Sequence, residues 1–379
     1  MDVSIELDEL RDAARRVLEG HVDRLEVIKN PSTVPALNRA LWKTIAELGW
    51  LGLCVPEERG GLGQPFTALA TLYRELGRSL SGTGFASAAI GLDMLSQDGA
   101  HTASVEVLEA GVAGEAIVVV ASTGTGTLAT SLRGANVVLD GTIDGVLGAA
   151  DATHLLVPFE VGEPAVALVA LPNPRVSVTP RATWDITRGA VVELGFDALE
   201  IDPGSVVLRG EPAARALARA AAHFDLALAC DAVGGAEQIF GETLSYMETR
   251  KQFNRAIASF QALKHRCADL KTAMEGARAL VDASCTAFAT AQGEWRTMAA
   301  ASRLHAGAVY RQVTEEAVQL HGGIGFTWEQ SCHLFLKRAR LNDVLGGSAE
   351  QRKDATAAVM LRAAHERAGS LLSHRLDGK

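Results

Sequence analysis

Strong positive charge is missing from this chain. Its 36 Lys and Arg against 45 Asp and Glu leave a formal net charge of −9. That balance excludes nucleic acid as the main partner, because phosphate backbones are met by a basic footprint. Long apolar runs are missing as well, and no stretch of about 18 uncharged apolar residues occurs, so no spanning helix is expected. The first residues, MDVSIELDELRDAARR, start acidic and show no secretory pattern. Cysteine is sparse: Cys54, Cys230, Cys267, Cys285 and Cys332 lie far apart with no Cys-x-x-Cys. This argues against a zinc site or a disulfide framework and fits reduced thiols in a cytoplasmic protein. The histidines form no ligand set, so no metal is expected. Walker A, a strand-to-helix G-x-G-x-x-G, H-E-x-x-H and G-x-S-x-G are all absent, which removes P-loop, Rossmann, zincin and α/β-hydrolase readings.

What is present falls into three blocks. Residues 1–112 carry apolar positions at helical spacing, as in Leu7, Leu10, Ala14, Val17 and Leu18. Helices are expected over 35–48, 66–80 and 84–97, and the Gly- and Pro-rich WLGLCVPEERGGLGQP reads as a loop. Residues 113–211 change texture. AIVVVAS, NVVLDG, HLLVPF, AVALVAL, AVVEL, ALEID and SVVLRG are short apolar or alternating segments bounded by turn residues, predicting a β sheet or barrel. Residues 212–379 return to helical spacing, with a long Ala-rich helix ending near Arg250. Further helices are expected over 260–291, 296–320, 328–340 and 348–368. Helices, then strands, then a helical bundle predict an α+β fold.

Two segments of the last block stand out. ETRKQFNRAIASFQ, 248–261, gathers Arg250, Lys251 and Arg255 around Phe253 at a helix end. AVQLHGGIGFTWE, 317–329, places Gly322 and Gly323 after an apolar helix. Taken singly, both fit ordinary helix capping. Side by side they also supply donors for a diphosphate and glycines that let backbone approach it.

With these segments in view, nearly the whole chain resembles the acyl-CoA dehydrogenases. LGWLGLCVPEERGGLGQPFTALATLYRELGR is similar to their N-terminal helical signature. RKQFNRAIASFQ is similar to their Arg-x-Gln-Phe-Gly segment, with Asn254 at the usual Gly, and VQLHGGIGFTWE to their Gln-x-x-Gly-Gly-x-Gly. HGGIGFTWEQSCHLFLKRAR is especially similar to actinobacterial members, several of which act on steroid side-chain CoA thioesters. The resemblance implies an N-terminal helical domain, a middle β domain and a C-terminal four-helix bundle. It also implies FAD, an acyl-CoA substrate dehydrogenated between Cα and Cβ, and electron-transferring flavoprotein as acceptor. That chemistry needs a carboxylate for the α-proton and a flavin for the hydride, held in line.

The sequence departs from the family at its reacting centre. The two positions where members carry their Glu base fall on Gly346, in NDVLGGSAEQ, and on Phe224. No catalytic residue is therefore assigned, although Asp225 and Glu350 stand nearby. Where members carry a Thr-Glu-Pro loop and a Trp-Ile-Thr segment beside the flavin ring, this chain reads ASTGTGT and DGVLGAAD, with Gly145 at the Trp and Leu147 at the Thr. What remains are the residues that reach a neighbouring subunit's flavin: Arg250, Gln252, Phe253, Phe260, Gln261, Gln319, Gly322 and Gly323. The expectation is a non-catalytic subunit that completes the flavin site of a related, catalytic partner, as in the α2β2 complexes of some actinobacterial members. A homomeric enzyme with a displaced base and a redox-dead scaffold or CoA-ester binder are the alternatives.

Overall fold

The N-terminal helices form where apolar residues repeat along one face and a cap or glycine marks the end. In a computed structural model describing residues 6–29, 37–97, 102–189 and 191–361, six helices open the chain. These are α1 (Leu7–His21), α2 (Arg24–Lys29), α3 (Arg39–Glu47), α4 (Phe66–Ser79), α5 (Phe85–Leu95) and α6 (Thr102–Val112). Ala14 and Leu18, one turn apart, are the buried pair of α1. Asn38 caps α3 by accepting from the Leu41 N–H at 3.1 Å. The expected loop at 50–65 folds back on itself, and at Gly61 an added Cβ would sit 2.0 Å from the Val55 carbonyl.

The middle strands make two four-stranded sheets, ordered β1-β4-β5-β8 and β2-β3-β7-β6. Their limits are β1 (Val118–Val120), β2 (Thr125–Arg133), β3 (Asn136–Leu147), β4 (His154–Val161), β5 (Glu163–Ala170), β6 (Val176–Arg181), β7 (Val191–Ile201) and β8 (Val206–Arg209). β1 runs parallel to β4, and the other ladders are antiparallel. Val119, Leu139, Leu155, Val157, Val192 and Leu194 pack between the sheets as one core. Of the two expected forms, open sheets are realised and a closed barrel is not. β2 and β6 carried no apolar signal because both are outer strands with mostly exposed side chains. AVVEL and ALEID, read as separate segments, join in β7, whose ladder with β3 shifts register between Leu139 and Gly141.

The C-terminal block is built on α7 (Gly210–Thr249), a helix of 40 residues and therefore about 60 Å long. α8 (Gln261–Thr290), α9 (Trp295–His321) and α10 (Cys332–Val344) pack around it, and residues 349–361 are again helical. α10 starts later than the expected 328 because 322–326 form a 3-10 turn before it. α7 crosses α4 backbone to backbone: a Cβ on Gly234 would meet the Arg74 carbonyl at 1.9 Å, and one on Gly77 the Asp231 carbonyl at 2.2 Å. Only glycine allows that approach, which explains the buried small residues of α7. A second large core joins the helices to the inward residues Val120, Leu156 and Val166 of the first sheet.

Candidate functional site

Beyond Thr249 the chain leaves α7 as a small hairpin, β9 (Lys251–Gln252) against β10 (Arg255–Ala256). Its two turn residues are left-handed, Phe253 at φ 51° and Asn254 at φ 60°. Asn tolerates that region better than other non-glycine residues, so Asn254 takes the place of the usual Gly without altering the turn. Phe253 is 87% exposed and meets Phe260 edge-on, with centroids 6.2 Å apart. The Arg255 guanidinium covers the Phe260 ring at 3.9 Å. The Arg250 side chain is exposed at the end of α7, while its carbonyl accepts from the Ile257 N–H at 2.9 Å. Gln252 and Gln261 are exposed beside it. Arg250, Lys251, Arg255, Lys264 and Arg266 follow one another with no acidic residue between Glu248 and Asp269. In a chain of net charge −9 this is a local cationic surface suited to a diphosphate.

The second segment reaches the same end of the bundle. The Tyr246 ring stacks on His321 with centroids 4.4 Å apart and 17° between planes, and its hydroxyl donates to the His321 carbonyl at 3.3 Å. That joint ties the turn preceding Arg250 to the residue preceding Gly322. Gly322, at φ 66° and ψ −144°, ends α9 in a conformation open essentially to glycine alone. Nothing lies within 4 Å of where a Cβ would sit on Gly322 or Gly323, so backbone faces open space there. Gln319 is exposed one turn before. The open glycines, the exposed amides and the exposed cations, of which Arg266 is paired with Glu316, fit the adenine-and-diphosphate half of FAD.

The chain's own cleft is different. Ser81–Ala86, Leu147, Arg188 and the α7 residues Phe224, Ala227, Leu228 and Asp231 enclose only about 30 Å³, room for about two waters. A flavin ring or an acyl chain does not fit there. The walls meet directly, since a Cβ on Gly82 would sit 1.9 Å from the Thr187 carbonyl. Leu147 and Phe224 are buried apolar side chains, 3% and 5% exposed. Gly145, at φ 79°, has open space where its Cβ would be and only the neighbouring Asp144 carboxylate accepting from its N–H, at 2.9 Å. In the 121–127 stretch a short turn leads directly into β2, with Gly126 tight against the Thr142 carbonyl.

No carboxylate is poised at either expected base position. Phe224 lies under the Arg303 guanidinium at 5.2 Å. Gly346 sits at φ 64° in a loop whose carbonyls are held by Arg303, through Asn342 and Leu345, and by Arg352, through Asp343, Leu345 and Gly347. Asp225 accepts from Arg303 at 2.8 Å, and Glu350 is exposed on the last helix.

Beneath the cleft lies a charge cluster that sequence reading missed. Arg338 donates to Asp185 at 2.5 Å, Asp231 at 2.9 Å, Thr187 Oγ1 at 2.7 Å and the Leu80 carbonyl at 3.1 Å. Arg188 and Asn342 each donate to the other Asp231 oxygen at 2.8 Å. Burial alone would raise the Asp231 carboxyl, but Arg188 and Arg338 outweigh it and hold the group below its usual value. The cluster ties the β-domain loop to α7, α10 and the end of α4. Its one readable signal was Asp231, a lone charge in the apolar run ALACDAVGG.

Comparison with known proteins identifies this architecture. Residues 4–115 match the acyl-CoA dehydrogenase N-terminal domain and residues 214–361 the acyl-CoA dehydrogenase C-terminal domain. "Acyl-CoA dehydrogenase IpdE2" of Mycolicibacterium smegmatis is 30% identical over 92% of this chain and 97% of its own. The fold is shared with the ChsE4-ChsE5 complex of Mycobacterium tuberculosis, at TM-score 0.84 and 23% identity over 95% of this chain and 99% of that one. It is shared equally with the Tcur3481-Tcur3483 steroid enzyme, at TM-score 0.84 and 24% identity over 95% and 98%. Members of the matched family are FAD-dependent flavoproteins. The chain thus belongs to the acyl-CoA dehydrogenase family.

Proposed function

We propose that this chain is the non-catalytic subunit of a heteromeric acyl-CoA dehydrogenase and completes the flavin site of a catalytic partner. The observation that carries this reading is the cleft of about 30 Å³ at the place where a self-sufficient member needs ring and acyl pockets. The other half of the argument is the exposed surface. Arg250, Gln252, Phe253, Phe260, Gln261, Gln319, Gly322 and Gly323 lie at one end of the bundle, most of them exposed. Arg250 and its cationic neighbours would neutralise the diphosphate, Phe253 and Phe260 would flank the adenine, and the two glycines would let backbone amides approach.

FAD bound there supplies the hydride acceptor for α,β-dehydrogenation. The partner supplies the carboxylate base and the acyl pocket. Asp225, next to the expected helix position, is committed to an ion pair with Arg303. Two structural relatives support an assembly of this kind and a steroid CoA thioester as substrate: one is a ChsE4-ChsE5 complex and the other a steroid acyl-CoA dehydrogenase of two named components. An α2β2 complex in the cytoplasm, passing electrons to an electron-transferring flavoprotein, follows from the same reading. Domain limits at 112/113 and 211/212 accompany it.

The test is flavin content. The chain purified alone is expected to be colourless, and the chain co-expressed with its partner yellow and active. Arg250→Ala should strip flavin from the complex without dissociating it. Full pigmentation and thioester turnover by the lone chain would overturn the reading.

A further inference from the structure

Natural sheets protect their edges with lysine, proline, bulges or covering elements, because an open edge is a template for another strand. β6, at one margin of its sheet, follows that rule with Pro180 and Arg181. β2, at the other margin, does not. Thr125–Arg133 is nine residues long, and from Ala121 through Leu132 there is no charged residue and no proline. Eight of its nine residues are exposed, with Leu132 65% exposed.

The register shows which backbone groups are free. Arg133 pairs with Asn136 across a two-residue turn, Gly134 at φ 65° leading it. In such hairpins the closing pair is hydrogen-bonded and pairs then alternate. The odd-numbered residues of β2 therefore bond to β3, and Gly126, Leu128, Thr130 and Leu132 turn their N–H and C=O outward. Among the described residues no other backbone group bonds to these four. The Thr130 hydroxyl donates to the Glu160 carbonyl at 3.0 Å, so a side chain anchors the strand from one face and leaves its edge clear.

We propose that this edge pairs antiparallel with the same edge of a second copy of the chain. A two-fold axis at Ala129 sets Leu128 opposite the partner's Thr130 and Leu132 opposite the partner's Gly126, giving about eight main-chain hydrogen bonds. It sets Arg133, the strand's one charge, opposite the partner's Thr125. No like charges face each other, which is the condition a self-pairing strand must meet. An edge rich in Thr, Ser and Gly with two leucines also suits its own copy better than a charged peptide. The contact supplies a route by which two copies meet, and it is separate from the flavin surface on the helical bundle.

The full-length chain carrying Ala129→Cys tests this. Residues facing across a non-hydrogen-bonded antiparallel pair have Cα atoms about 4.5 Å apart, within disulfide reach. Mild oxidation should give a covalent dimer on a non-reducing gel, whereas Thr179→Cys on β6 should stay monomeric. Leu132→Lys in the Ala129→Cys background should reduce dimer yield at least tenfold, while the co-expressed complex keeps its flavin. Equal cross-linking of the β2 and β6 cysteines, or a yield unmoved by Leu132→Lys, overturns the proposal. Loss of flavin in Ala129→Cys or Leu132→Lys would bear on the proposed function instead, so the two fail separately.

Discussion

Arg303 donates to Asp225 at 2.8 Å while its guanidinium lies 5.2 Å over the neighbouring Phe224 ring. One arginine thus occupies both the expected helix position of the base and the carboxylate beside it. Replacing Arg303 with Met leaves Asp225, whose side chain is 19% exposed, without its partner, and removes one of the two arginines that hold the Gly346 loop, Arg352 being the other. Breaking a buried pair from one side costs roughly 3–5 kcal/mol. Urea unfolding of Arg303→Met should show that loss as a lower midpoint at unchanged slope, and a change under about 1 kcal/mol would mean the pair is not structural.

The glycines of the 319–326 segment separate folding from function. Gly322→Ala should cost roughly 1–3 kcal/mol through backbone conformation alone, since open space surrounds the added methyl. Gly323 has no left-handed φ and equally open space. Gly323→Ala should therefore melt like the parent, yet, on the proposed reading, lower flavin retention in the complex by placing a methyl at the proposed cofactor contact. Melting curves and bound-flavin ratios on both variants check this directly.

Asn254 gives a conformational prediction. At φ 60°, Asn254→Gly should change stability by no more than about 0.5 kcal/mol, whereas Asn254→Val should cost about 1–2 kcal/mol. Thermal unfolding of the two variants reads the difference. The valine variant should also bind flavin more weakly in the complex, because the hairpin carries Gln252 and Phe253.

Acid should destabilise the fold through histidine. Burial, aided by repulsion from Lys337, pushes His333 down to about 4. An unfolded imidazole titrates near 6.5, so the unfolded chain takes up the proton first and stability rises with pH between the two values. Stability is full above about pH 6.5 and is lost as pH falls toward 4. His223, whose value burial also lowers despite Asp93 beside it, acts in the same sense. His333→Leu should flatten part of the decline in melting temperature between about pH 7 and about pH 5, leaving the share due to His223 and to His154, which burial also lowers.

Much of this fold is legible in the sequence. The long helices, the central β block and the two unusual segments follow from apolar period and from Gly, Arg and Phe at recognisable spacing. β2 and β6 were not legible, because these two strands bury too few side chains to carry a pattern, unlike the outer strands β1 and β8. The missing base was legible at Phe224 and Gly346, but the narrowness of the cleft was not. That narrowness comes from contacts between residues far apart in the chain, such as Arg338 with Asp185 and Gly82 with Thr187. The Tyr246–His321 joint was hidden for the same reason: two ordinary helix residues acquire meaning only when α7 and α9 end side by side.

α7 runs unbroken from the walls of the cleft, at Phe224 and Asp231, to the turn before Arg250. The same rod is held near its middle by the Arg338 cluster, through Asp231, and near its C-terminal end by Tyr246, so the interior stiffens the surface beyond it. Backbone held this way has already given up its hinge freedom when the protein folds. On the proposed reading, a subunit docking there would lose little further entropy, and this chain would raise its partner's affinity for the cofactor by being rigid.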